Sequence, residues 1–170
     1  MTLIPCPRTG GNDARPDEPY LDTIGVIFQA KPRNAEFKAL RGSSGAITCR
    51  RVARGGYAWK LKSHVPTTAA LELLEQMRRD GRCVLSEVHF AMDLMADTER
   101  EAEQVTAWMN ERIVQPYRRG EPLGDCRSTA YWTQRRWRVK QFVSYVRPSK
   151  LTGLWCCHLE FRILSAEKVR

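Results

Sequence analysis

The chain has 170 residues, 42% of them hydrophobic and five of them Trp, which is long enough to bury a core and too apolar for wholesale disorder. No apolar run approaches the ~20 residues that span a bilayer, and "MTLIPCPRTGGNDARPDEPY" lacks a basic region followed by an apolar one, so neither membrane insertion nor secretion is expected. The missing signal segment and the cysteine usage point to a cytoplasmic protein, and the formal net charge of +9 to an anionic partner.

Residues 1–19, rich in Pro, Gly, Asp and Arg, read as a flexible leader, and residues 20–170 as a single domain. "YLDTIGVIFQA" (20–30) is a β-branched strand, followed by a Pro-Arg-Asn turn and a Gly-Ser loop. "AITCRRV" and "YAWKLKSHV" flank Gly55-Gly56 as a hairpin. Thr67 then opens a helix, "TTAALELLEQMRRDG", with Leu71, Leu74 and Met77 at helical spacing and Gly81 just past its end. "CVLSEVHFAMDL" is the next strand. A second helix, "DTEREAEQVTAWMNERIV", carries Thr98 and Glu101 as a capping box and Val105, Trp108, Met109 and Ile113 as its buried stripe. "STAYWT", "RVKQFVSYV" and "WCCHLEFRIL" supply three further strands, and the terminal "SAEKVR" reads as the start of another helix in a chain truncated at its C-terminus. The expected fold is α+β: a mostly antiparallel sheet, two helices packed on one face, and a site on the other.

The six cysteines contain no CxxC pair, and adjacent Cys156 and Cys157 alternate faces in a strand, so reduced thiols are expected and structural zinc is not. Side chains alternate along strands with period two. Trp155, Cys157, Leu159, Phe161 and Ile163 therefore share one face, and Cys156, His158, Glu160 and Arg162 the other. In residues 84–94 the apolar set is Val84, Val88, Phe90, Met92 and Leu94, while Glu87, His89 and Asp93 form the polar set. A solvated sheet face explains such rows simply. If the two strands are neighbours, however, His89, Asp93, His158 and Glu160 are candidate ligands for one Mg²⁺ or Mn²⁺, cations that favour carboxylate oxygens.

From 126 to 159 the chain has no acidic residue, while Arg127, Arg135, Arg136, Arg138, Lys140, Arg147 and Lys150 accumulate. Trp132, Trp137 and Tyr145 lie among them. Clustered cations neutralise phosphates and flat aromatics stack on bases, which makes nucleic acid the expected partner. A metal beside such a segment suggests phosphodiester chemistry, with a tyrosine nucleophile giving a covalent intermediate. Tyr131 shares a face with Thr129 and Thr133, whereas Tyr145 shares one with Val139 and Val143, so Tyr131 is the preferred nucleophile and Tyr145 the alternative.

"VHFAMDL", "TAYW" with its Arg-rich sequel, "FVSYVRPSK" and "CHLEFRI", in this order, resemble the motifs of the replication initiation factor family, the phage and plasmid rolling-circle initiators of the trans-acting Rep type. "TAYW" is similar to that family's Thr-x-Tyr strand, "SYVRPSK" to its Tyr-x-Lys strand and "HLEFR" to its Arg-or-His-x-Glu strand. The resemblance covers about residues 84–165, and departs where Trp132 follows the tyrosine and where Tyr145 and Lys150 stand further apart than the family's pair. It implies a DNA-nicking endonuclease of DNA replication, acting on a single-stranded or hairpin origin, with Asp93 and Glu160 as metal ligands and a tyrosine nucleophile. The competing readings are a DNA-binding protein of the same fold without nicking, and a small structural protein whose basic segment binds RNA or an acidic partner.

Overall fold

The computed structural model describes residues 15–54, 56–112, 129–134 and 137–164. The strands are β1 (Tyr20–Phe28), β2 (Ser44–Arg54), β3 (Tyr57–Pro66), β4 (Cys83–Met95), β5 (Thr129–Gln134), β6 (Trp137–Pro148) and β7 (Trp155–Ile163). The helices are α1 (Asn34–Gly42), α2 (Thr68–Arg79) and α3 (Glu99–Arg112). All strands join one open antiparallel sheet in the order β2-β3-β1-β4-β7-β6-β5. The hairpin signals place β2 beside β3, and β5, β6 and β7 form a meander. The contacts β1–β4 and β4–β7 join segments distant in sequence.

The α+β class and the one-sided placement of the helices hold, with three helices rather than two among the described residues. The additional helix is α1, in the segment read as turn and loop. Its nine residues bury only Leu40, and its start is fixed by the Arg33 backbone N–H donating to Glu36 Oε2 at 2.9 Å. The α2 boundaries follow their signals. Thr67 Oγ1 accepts from the Ala70 N–H, and Gly81 adopts φ +68°, the left-handed conformation that terminates helices.

In α3 the Glu101 N–H donates to Thr98 Oγ1 as expected, but the Glu101 carboxylate caps the Asp97 N–H rather than that of Thr98. The expected α3 stripe shifts as well. Ala102 and Thr106 are buried, Val105 and Met109 are half-buried, and Trp108 is 54% exposed with Arg112 over its ring. Ile113 lies outside the described residues.

Opposed residues in antiparallel strands share a face, so the register sorts the sheet. On one face Val26, Phe28, Leu61 and Cys83 pack with Leu40 of α1 and Ala70, Leu74 and Met77 of α2. The same face continues to Ser144, whose Oγ donates to Asn110 of α3. Thus all three helices cover one side.

Candidate metal and catalytic site on the helix-free face

The other face is a grid of polar side chains. Across β3, β1, β4, β7 and β6 one row reads His64, Thr23, His89, Arg162; the next reads Tyr20, Ala91, Glu160; the next Asp93, His158, Tyr145. Strands β4 and β7 are therefore neighbours, with Asp93 opposite His158 and Ala91 opposite Glu160. The plain alternative for these residues was a solvated face, and that does not hold. Asp93 and His158 are 0% exposed and Glu160 is 2% exposed, while Phe90 and Phe161 on the helix side are 45% and 38% exposed. Alternation assigned Glu87 to Leu94 and Trp155 to Ile163 to their faces correctly, but a register shift puts Val84 opposite Ile27, on the face away from Cys83 and Leu85, and in β4 the polar set is the better buried.

What makes this burial tolerable is pairing. His89 Nδ1 lies 2.5 Å from Glu160 Oε1, and Arg162 donates to Glu160 Oε2 at 2.5 Å. Glu87 takes Lys60 at 3.1 Å and Lys62 at 2.6 Å, and Lys150 reaches back from beyond β6 to both oxygens of Asp22 at 2.7 Å. His158 Nδ1 lies 2.5 Å from Asp93 Oδ1, while Tyr20 and Ser149 hydroxyls donate to Oδ2 at 3.1 and 2.5 Å. Burial pushes the Glu160 and Glu87 carboxyls up, but hydrogen bonds from His89 and from Arg162 or Lys62 outweigh it and hold both well below the usual range. Asp93 is lowered in the same way, burial being outweighed by His158, Ser149 and Tyr20. Burial lowers His89, yet Glu160 and Glu87 together raise it above its ordinary value.

The four proposed metal residues do not converge on one centre. Two groups of three bring their ligand atoms within 4.8 Å of one another: Asp22 with His89 and Glu160, and Asp93 with Cys156 and His158. A gap of 4.0 Å between His158 Nε2 and Glu160 Oε2 separates them. Asp22, absent from the expected ligands, enters through a register shift between Leu21 and Thr23. A lone acid in the otherwise apolar "YLDTIGVIF" was its only signal.

Tyr145, expected in the core, stands in the site. Its hydroxyl donates to Glu160 Oε2 at 3.4 Å, and its ring lies 4.9 Å from that of His158. Burial, with the Glu160 charge adding to it, pushes its phenol up to about 12, against an opposing pull from Arg147. Tyr131 lies one strand further out, opposite Val143, and its side chain is outside what the structure describes, as are those of Trp137 and Arg138.

Of the expected nucleic-acid contacts, Arg127, Arg135 and Arg136 lie outside the described residues. Lys140, Arg147 and Lys150 do not share one face. Lys140 stands opposite Ile163, on the helix side, whereas Arg147 stands opposite Cys156, on the helix-free side. Lys150 is engaged by Asp22. Among the described residues no helix is long and apolar enough to cross a membrane.

Comparison of the chain with protein-family models, with curated proteins and with solved structures found no match.

Proposed function

We propose that the chain binds DNA, single-stranded or at a hairpin origin, and cuts one strand by metal-assisted transesterification onto a tyrosine, as the rolling-circle initiators its motifs resemble do. The observation that carries this reading is the Tyr145 hydroxyl 3.4 Å from Glu160, the carboxylate on which Asp22 and His89 also converge. Two carboxylates and an imidazole suit Mg²⁺ or Mn²⁺, and Asp22, His89 and Glu160 would hold it. Such an ion, when bound, supplies positive charge that polarises a phosphate oxygen and favours a phenolate.

The remaining work belongs to this chain's own side chains. Lys150 and Arg162, freed from Asp22 and Glu160, are long enough to turn to phosphate. The Tyr145 oxygen attacks phosphorus, forming a Tyr–O–P bond as the bond to the 3′-oxygen breaks. The phenolic proton leaves to solvent, and the 3′-oxygen takes a proton from solvent. DNA then carries its 5′-phosphate on the protein.

A second reading, DNA binding without cutting, is favoured by the closed ion pairs of Asp22, Glu87 and Glu160 and by the raised Tyr145 phenol. Wild type, Tyr131→Phe and Tyr145→Phe are incubated with Mn²⁺ and labelled single-stranded or hairpin DNA. A covalent adduct with wild type and Tyr131→Phe but none with Tyr145→Phe is expected. An adduct lost only in Tyr131→Phe reverses the assignment of the nucleophile. No adduct but salt-dependent binding leaves the second reading, and no binding overturns both.

A further inference from the structure

Among the described residues four carboxylates are buried on the helix-free face, and three of them have a Lys or Arg counter-ion: Asp22 with Lys150, Glu87 with Lys60 and Lys62, and Glu160 with Arg162. Asp93 differs. Among the described residues its partners are two neutral hydroxyls, both on Oδ2, and His158 on Oδ1. A fully buried carboxylate without a fixed cation is costly. Beside it lies Cys156, two residues before His158 in β7 and therefore on the same face. One ligand atom from each of the three residues falls within 4.8 Å of the others.

A second observation points the same way. His158 Nε2 is buried and has no hydrogen-bond partner, its nearest carboxylate oxygen being Glu160 Oε2 at 4.0 Å. With the proton on Nδ1, Nε2 is a buried acceptor without a donor. With the proton on Nε2 alone, the bare Nδ1 faces the Asp93 carboxylate at 2.5 Å with nothing positive between them, and with both nitrogens protonated the imidazolium pairs with Asp93 but its buried Nε2–H meets no acceptor closer than Glu160 Oε2 at 4.0 Å. A cation bound by Nδ1 removes the second difficulty. It also leaves the proton on Nε2, on the side of Glu160, whose Oε2 is the nearest carboxylate oxygen at 4.0 Å.

We propose that Asp93, Cys156 and His158 form a zinc-class site, distinct from the Mg²⁺ or Mn²⁺ centre above, in which thiolate, imidazole and carboxylate hold one Zn²⁺ and leave a fourth position open. The thiol proton, now directed at the Arg147 carbonyl at 3.2 Å, leaves to solvent as the metal binds. The donor set excludes Mg²⁺, which takes oxygen ligands, and selects a thiophilic ion. Charge agrees: Zn²⁺ with one thiolate, one carboxylate and a neutral imidazole sums to zero, so Asp93 no longer needs a protein cation. A search for CxxC spacing does not reveal such a site. This site draws Cys156 and His158 from one strand and Asp93 from its neighbour.

The test uses the full chain, stripped with a chelator and titrated with Zn²⁺, Co²⁺, Mn²⁺ and Mg²⁺ separately. Wild type is expected to bind one Zn²⁺ per chain that excess Mg²⁺ does not displace, and Co²⁺ is expected to produce a thiolate charge-transfer band in the near ultraviolet. Cys156→Ser should abolish that band and weaken Zn²⁺ binding by roughly tenfold or more. Cys157→Ser, whose sulfur faces the helices, should keep both. No stoichiometric Zn²⁺ in wild type, or a band that persists in Cys156→Ser, overturns the proposal. Should Cys156→Ser fail to fold by circular dichroism, X-ray absorption at the zinc edge decides, on a variant with Cys6 and Cys126 both replaced by Ser. One sulfur at about 2.3 Å is expected, and a shell of nitrogen and oxygen alone overturns the site. The DNA reading depends on Tyr145, Glu160, Asp22 and His89, so absence of Zn²⁺ binding leaves it standing, and absence of a DNA adduct leaves the zinc site standing.

Discussion

Val26 and Glu87, on opposite faces of one sheet, are 3% and 4% exposed. Val26 is covered by the helices, among Leu40, Leu61, Leu74 and Met77. Glu87 is held by two lysines, and beyond it runs a chain of pairs through His89 and Glu160 towards His158 and Asp93. Apolar packing is non-directional, so losing one group costs its own transfer and cavity terms. A buried ionic chain is different, because removing one member leaves its partners charged in a medium that cannot solvate them. The helix side therefore stabilises the fold steadily, and the helix-free side holds reactive groups in fixed positions at the risk of abrupt failure.

The largest expected effect follows from that contrast. Glu160→Gln removes the counter-charge of both His89 and Arg162 and should destabilise by about 3–5 kcal/mol, the cost of breaking a buried pair from one side. Leu61→Ala, at a fully buried position on the helix side, should cost less, about 3 kcal/mol. Urea midpoints for the two variants and their double mutant check both values. The sites share no partner, so the effects should add to within about 0.5 kcal/mol. Equal or reversed costs would show that the polar face is solvated rather than buried.

A third substitution probes where the two kinds of construction meet. A Cβ at Gly25 would collide with Glu87 Cγ, because the Glu87 side chain crosses the β1 backbone there to reach its lysines. Gly25→Ala should cost about 1–3 kcal/mol by overpacking. Its effect should shrink in a Glu87→Ala background, since the obstructing atoms are then gone. A full cost retained in that background would place the strain in the backbone instead.

The elements were legible wherever local chemistry dominates. The Gly55-Gly56 hairpin, the Thr67 cap and Gly81 fixed their boundaries within a residue or two. α1 was not legible, because "NAEFKALRG" buries a single residue and Pro32 and Gly42 punctuate it like a loop. Alternation identified which residues share a face, and the matched patterns of β4 and β7 suggested their pairing. It could not say which face is hidden, since that depends on the lysines of β3, on Ser149 and on Lys150, none of them in either strand. The same limit misjudged Tyr145. Its neighbour Val143 is indeed fully buried, but here a buried position is one inside the polar network. Asp22 reaches the site only by way of an irregular register, which no periodicity records.

The smallest expected effect is a pH dependence confined to the helix-free face. The carboxyls of Glu87, Glu160 and Asp93 are depressed in the folded chain. Their stabilisation is therefore present above the unfolded values of about 4 and is lost as pH falls through the folded ones. His89 is raised by Glu160 and Glu87 against the opposing effect of burial, so its contribution is complete below about pH 6.5 and is lost as pH rises through its folded value. His64 is lowered by burial and by the charge of Lys150, so its contribution is already complete above that pH and does not confuse the alkaline side. Burial raises the thiols of Cys83 and Cys156, which destabilise the fold only near and above the ordinary cysteine value of about 8.5. Between about pH 6.5 and 8 the decline in stability should thus belong to His89. The effect is small because Lys60, Lys62 and Arg162 still pair Glu87 and Glu160 after the imidazole loses its proton. Urea midpoints of the chelator-treated protein should fall across this window in wild type and stay level in His89→Gln. An equal decline in both proteins would mean that the His89 pairs carry no net charge interaction, and that the polar face is held by its lysines and arginine alone.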